Sequence, residues 1–235
     1  MKIKKIILLF LISTILYSCT KDADRYAIDG TKGQSLSGII KFSTVTSSSV
    51  QADSFSVTAI TVQLDKNTDS ANRVVTFHTS LGKFSNRDSV TTFFVNSNGQ
   101  AIVNLYSSTI GSALVSASVG TISIDTTIQF TPAFPTDMLL SASKYVADSS
   151  DTIRISSQLV RGFGRVSNGA FVYFTTSRNN KADSLIIPSF TVSQSGLANV
   201  TMINPFFTHG YFTLTAWTIS QSNDTLKKSL NIFIR

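Results

Sequence analysis

Three observations predict an all-β chain folded as two tandem sandwiches. The first is composition: 36 Ser, 28 Thr and 17 Phe stand among 235 residues that hold no Glu. Ser and Thr compete with the helical backbone for hydrogen bonds, and the strong helix formers are sparse, so strands are favoured. The second is pattern: from residue 38 onward, short apolar-polar alternations are separated by clusters of Gly, Asn, Asp and Ser. The third is repetition. Ala52-Asp53-Ser54 returns as Ala147-Asp148-Ser149, Val75-Thr76-Phe77 as Val172-Tyr173-Phe174, and Gly99-Gln100-Ala101 as Gly196-Leu197-Ala198, at offsets of 95, 97 and 97. Gly111-Ser112-Ala113-Leu114-Val115 likewise matches Gly210-Tyr211-Phe212-Thr213-Leu214.

At the N-terminus, Lys2, Lys4 and Lys5 precede a largely apolar run of 12 residues, 6–17, in the manner of an export signal. Twelve is short of the roughly 20 needed to cross a bilayer. Leu16-Tyr17-Ser18-Cys19 resembles the lipobox of bacterial lipoproteins. That resemblance implies removal of residues 1–18 and acylation of Cys19, which would anchor the chain with more than the two lipid signals that stable attachment requires. Residues 19–35 read as a flexible polar stalk. Within it, Lys21-Asp22-Ala23-Asp24 looks like the signals that route some Gram-negative lipoproteins to the outer face of the outer membrane. Cell-surface exposure is therefore expected, with a periplasm-facing position as the alternative.

Seven strands are expected in the first half, at residues 38–42, 55–64, 74–79, 90–95, 101–106, 113–119 and 126–130. Seven short strands with frequent turns form an immunoglobulin-like pattern, here without its core disulfide and Trp. Pro132 and Pro135 break the pattern and stiffen the join, so residues 36–132 make one domain and 133–235 a second. The stiff join favours an end-to-end arrangement. The order Ala52-Asp53, Phe77, Gly82-Lys83-Phe84, Asn98-Gly99 and Ala117-Ser118-Val119 is similar to the bacterial Ig-like repeats of invasin and intimin adhesins. The second half carries it more loosely, with Ser195-Gly196 and Ala216-Trp217-Thr218. The resemblance implies a spacer or adhesive role.

Little in the chain supports catalysis. There are two histidines and one cysteine; His78 falls on the outward parity of a strand and His209 in a turn, neither in a triad-like setting. Asp65-Lys66-Asn67-Thr68-Asp69 has calcium-loop spacing, but Ser70 and Thr76 stand where the loop needs Gly and Glu, so a polar turn is expected and no metal or other cofactor. Loss of the three signal lysines leaves 17 Lys and Arg against 13 Asp, a net +4, too modest for a nucleic-acid binder. Arg161 and Arg165 precede one strand and Arg178 and Lys181 follow it, at opposite ends of the sandwich, and are expected to be solvated. Tyr211 and Trp217 alternate with Phe212, Leu214 and Ala216, which places them on the outer face as candidates for stacking on a sugar ring or a partner. The expected protein is a non-catalytic, lipid-anchored surface adhesion or binding module whose partner is an envelope protein or a glycan. The alternative is a structural or assembly subunit of an outer-membrane complex serving secretion, motility or polysaccharide uptake.

Overall fold

A computed structural model describes residues 36–65, 68, 73–178, 181–182 and 185–235. The signal segment, Cys19, the stalk and most of the 65–72 loop with its calcium-like spacing lie outside the described residues. Ile40–Arg235 form one compact unit, separate from the residues before it. The helical turn α1 (Leu36–Ile39) precedes it, so the opening strand starts at Ile40 rather than at residue 38.

In this unit, the described residues of the first half form nine strands. These are β1 (Ile40–Val45), β2 (Ser49–Gln51), β3 (Thr58–Leu64), β4 (Val74–Thr79), β5 (Lys83–Phe84), β6 (Val90–Phe94), β7 (Gln100–Tyr106), β8 (Gly111–Val119) and β9 (Ile122–Thr131). One sheet runs β1-β3-β7-β5 and the other β2-β9-β8-β4-β6, so the opening stretch contributes a strand to each layer. Strand β3 shows why they form: Thr58, Ile60, Val62 and Leu64 are buried while the residues between them are half-exposed. Phe77, Phe84 and Phe130 fill the interior. Gly82 closes the turn before β5 at φ +83°, where a Cβ would lie 2.5 Å from the Tyr106 carbonyl oxygen; only glycine fits.

The described residues of the second half supply nine more, β10 (Asp137–Ala142), β11 (Val146–Ala147), β12 (Ile153–Val160), β13 (Phe171–Arg178), β14 (Lys181–Ala182), β15 (Phe190–Val192), β16 (Leu197–Met202), β17 (Gly210–Ile219) and β18 (Thr225–Ile234). They make sheets β10-β12-β16 and β11-β18-β17-β13-β14, with β15 also on β13. Each strand has a counterpart in the first half. The order differs only where β5 pairs with β7 while β14 pairs with β13. Met138, Ile155, Phe174, Phe212, Leu214 and Ile232 are buried in the second core.

Between the two sandwiches runs a polar seam. The Ser167 hydroxyl donates to the Ala52 carbonyl and accepts from the Ala133 N–H, both at 2.8 Å, and all three residues are buried. The Arg165 N–H donates to the Asp53 carbonyl, and the Asn168 N–H to that of Ser108. Asp53 is fully buried, its carboxylate accepting from the N–H groups of Phe55 and Ser56 and from the Ser56 hydroxyl. Phe55 and Phe163 meet edge to face at 6.1 Å. Arg161 does not behave as a solvated loop residue: its Nη2 donates to Gln51 Oε1, and its Nε and Nη1 are buried without a partner among the described residues. Two domains meeting loop to loop enclosed a side chain that local sequence marks only as polar.

Surface ion pairs among the described residues include Lys228–Asp137, Lys144–Asp151 and Arg235–Asp148. The Met138 N–H and then Lys228 hold the Asp137 carboxyl below its usual range, and Lys144 does the same for Asp151. Because both folded-state values are depressed, their stabilisation is complete above the usual carboxylate range and is lost as pH falls through the depressed values. Thermal melts between about pH 5 and pH 2 are expected to show a small loss of stability from these pairs, reduced by added salt because the pairs are exposed.

Candidate functional site

On the outer face of the β13-β17-β18 sheet the two halves differ in chemistry. Cross-strand register places Phe190 beside Tyr173, Tyr173 beside Trp217 and Trp217 beside Lys227, one unbroken row over four strands. The corresponding row of the first sandwich is Thr92, Thr76, Ser118 and Ser123. Four hydroxyls are thus replaced by three aromatics and a cation. Period-two alternation turns these side chains away from a core that takes Phe174 and Ala216 from the same strands.

Trp217 stacks on Tyr173 with centroids 5.6 Å apart and planes at 16°. Phe190 lies 6.1 Å from Tyr173, and Phe171 packs against both. Phe171 and Phe190 are each about half exposed, whereas Trp217 is half-buried by its neighbours. Tyr211, 71% exposed, is on the same face but does not join the row. It pairs with Phe233 at 4.7 Å, six residues along β17 and so about 20 Å from Trp217. Tyr211 and Trp217 are therefore two surfaces rather than one.

Across the Trp217–Lys227 pair, and extending from it toward Tyr211, runs an open groove of about 660 Å³, lined by Thr175, Ser177, Thr213, Thr215, Trp217, Thr225, Lys227 and Ser229. Thr215 and Ser229 share a hydrogen bond of 2.8 Å, and Thr213 donates to Asn231 Oδ1 at 3.0 Å. The hydroxyls of Thr175, Ser177 and Thr225 have no partner among the described residues. No carboxylate is among the described lining residues.

The remaining candidates are dispersed. His78 is exposed on β4 and His209 in the loop before β17, where its carbonyl accepts from Arg178 Nη1. The Arg178 guanidinium lies over the Phe212 ring at 5.7 Å. Among the described residues no group of three His, Cys, Asp or Glu is placed to hold a metal ion, and no helix is long and apolar enough to cross a membrane. Tyr173, Phe190 and Lys227 were not identified from sequence. Their strands lie up to 54 positions apart along the chain, and the available signal was outward parity, which Tyr173 shares with Trp217.

Two sandwiches whose first strands split between both layers are immunoglobulin-like domains. Comparison with solved structures shows the same fold in the adhesin InvE and in invasin. The chain is similar to the adhesin InvE of Yersinia pseudotuberculosis, at 16% identity and a TM-score of 0.54, over 84% of this chain and 59% of that one. It is similar also to invasin, described as a bacterial integrin-binding protein, at 19% identity and a TM-score of 0.56, over 83% of this chain and 39% of that one. The chain thus spans less than two thirds of either. Neither protein-family models nor curated proteins give a match.

Proposed function

We propose that the chain is a non-catalytic adhesion or binding module, anchored through lipid on Cys19 to the outer membrane and exposed at the cell surface. Residues 1–18 are the removed signal peptide, 19–35 the stalk, 36–132 the supporting sandwich and 133–235 the recognising one. The observation that carries this reading is the row Phe190-Tyr173-Trp217-Lys227, set where the first sandwich has only Ser and Thr. Aromatic side chains left facing water on a folded domain mark a surface that gains from being covered. The adhesin fold of the solved neighbours agrees with such a role.

Cys19→Ser is expected to abolish fatty-acid labelling and to move the protein from the membrane fraction to the soluble one. Protease added to intact cells should remove the wild-type protein. Cells bearing Trp217→Ala should attach less well to the surfaces the wild type colonises, at equal protein abundance. Unchanged attachment would refute the assignment of the row, and detergent-phase partitioning of Cys19→Ser would refute the anchor.

A further inference from the structure

We propose that the groove beside Trp217 binds a segment of an acidic polysaccharide, one whose pyranose rings carry carboxylates. This deepens the adhesion reading and rests on it. Six of the eight lining residues present hydroxyls, those of Thr175, Ser177, Thr213, Thr215, Thr225 and Ser229. A hydroxyl both donates and accepts, so such a lining matches the many hydroxyls of a sugar, whereas protein partners are held chiefly by apolar and Arg anchors in desolvated pockets. Thr175, Ser177 and Thr225 keep their hydrogen-bonding capacity for a ligand.

The aromatic component stands at one end. Trp217 lines the groove and is held in place by Tyr173, so its position is set before a ligand arrives. A pyranose ring presents C–H groups that pack against an indole, an arrangement in which aromatic side chains supply most of the contact energy.

Charge decides between neutral and acidic sugars. Lys227 sits directly across from Trp217 in the β17-β18 register, is exposed, and forms no ion pair among the described residues. With no carboxylate among the described lining residues, an anionic group is the favoured partner of that ammonium. A uronate carboxylate on Lys227 therefore places a neighbouring ring by Trp217 and the rest of the chain over the hydroxyls.

Trp217 is the only tryptophan in the sequence, so its emission reports on the groove directly. The full chain, purified in detergent, would be titrated with oligogalacturonate and with a neutral β-glucan oligomer of equal length. The expected result is a saturable change in emission with oligogalacturonate that weakens as salt rises, and a weaker or absent response to the neutral oligomer. Lys227→Gln should weaken oligogalacturonate binding about five- to tenfold with an unchanged melting curve, because the side chain is exposed. Trp217→Phe, followed by calorimetry, should weaken it while retaining the stack on Tyr173. Equal binding of the two oligomers, indifference to Lys227→Gln, or no response to oligogalacturonate overturns the proposal. Should attachment depend on Trp217 while oligogalacturonate fails to bind, this inference falls and the adhesion reading stands. Should oligogalacturonate bind while attachment is insensitive to Trp217, the reverse holds.

Discussion

Phe212→Ala is expected to destabilise the second sandwich by about 3–5 kcal/mol. Phe212 is 1% exposed, packed in the cluster with Leu214, Phe174 and Ile232, and covered on one side by the Arg178 guanidinium. Alanine removes most of the buried ring, and strands tied on both edges of β17 cannot close the space. At about 4–8 °C per kcal/mol for a domain of this size, the melting temperature of that half should fall by at least about 12 °C. Calorimetry reads the result. A transition that moves alone marks the sandwiches as separate cooperative units; two that move together show that the seam binds them into one. A shift of only a few degrees would mean that Phe212 does not organise this core.

Gly164→Val is expected to open the seam while leaving both cores folded. Gly164 has φ +70°, which alone costs a β-branched residue about 1–3 kcal/mol. A Cβ there would lie 2.7 to 2.9 Å from three atoms of the Asp53 side chain. Asp53 cannot readily yield, because Phe55 and Ser56 hold its carboxylate through three hydrogen bonds. The variant should therefore lose the contacts of Arg165 and Asn168 with the first sandwich. Residual dipolar couplings measured on both halves would show loss of their fixed relative orientation. Ser167→Ala should act in the same direction more mildly, orphaning the Ala133 N–H at a cost of about 1–3 kcal/mol. If Gly164→Val kept one orientation tensor, the seam would not depend on this contact.

Much of the architecture was legible because period-two alternation is written locally. Strands β3, β4, β7 and β8 fall within three residues of their expected limits. Two short strands, β2 and β5, escaped: Ser49-Val50-Gln51 and Lys83-Phe84 are too brief to show a period, and they exist because β9 and β7 offer free edges. The first half of β9 escaped too, since Gly120 and Thr121 turn the chain so tightly that β8 and β9 read as further apart than they are. The parity of Trp217 was legible, but its companions were not, because stacking on Tyr173 is decided by a register between distant strands. The seam was illegible for the same reason. Ala52-Asp53-Ser54 and Ala147-Asp148-Ser149 are identical triplets, yet Asp53 is buried beneath the second sandwich while Asp148 lies in the open, paired with Arg235.

The two parallel strand pairs would set how each sandwich responds to a pull between its ends. In each sandwich the strand near the entry of the chain lies parallel to the one at its exit, β2 beside β9 and β11 beside β18. A pull between entry and exit therefore drags these neighbours past each other along their own axes, and their hydrogen bonds resist together rather than parting one by one. Tension leaving β9 at Thr131 meets the Ala52 N–H bonded to its carbonyl, and two residues later Ala133 is tied through Ser167 back to Ala52. The joint between the sandwiches would thus be clamped at the very exit of the first, where a pull along the chain passes from one sandwich to the next.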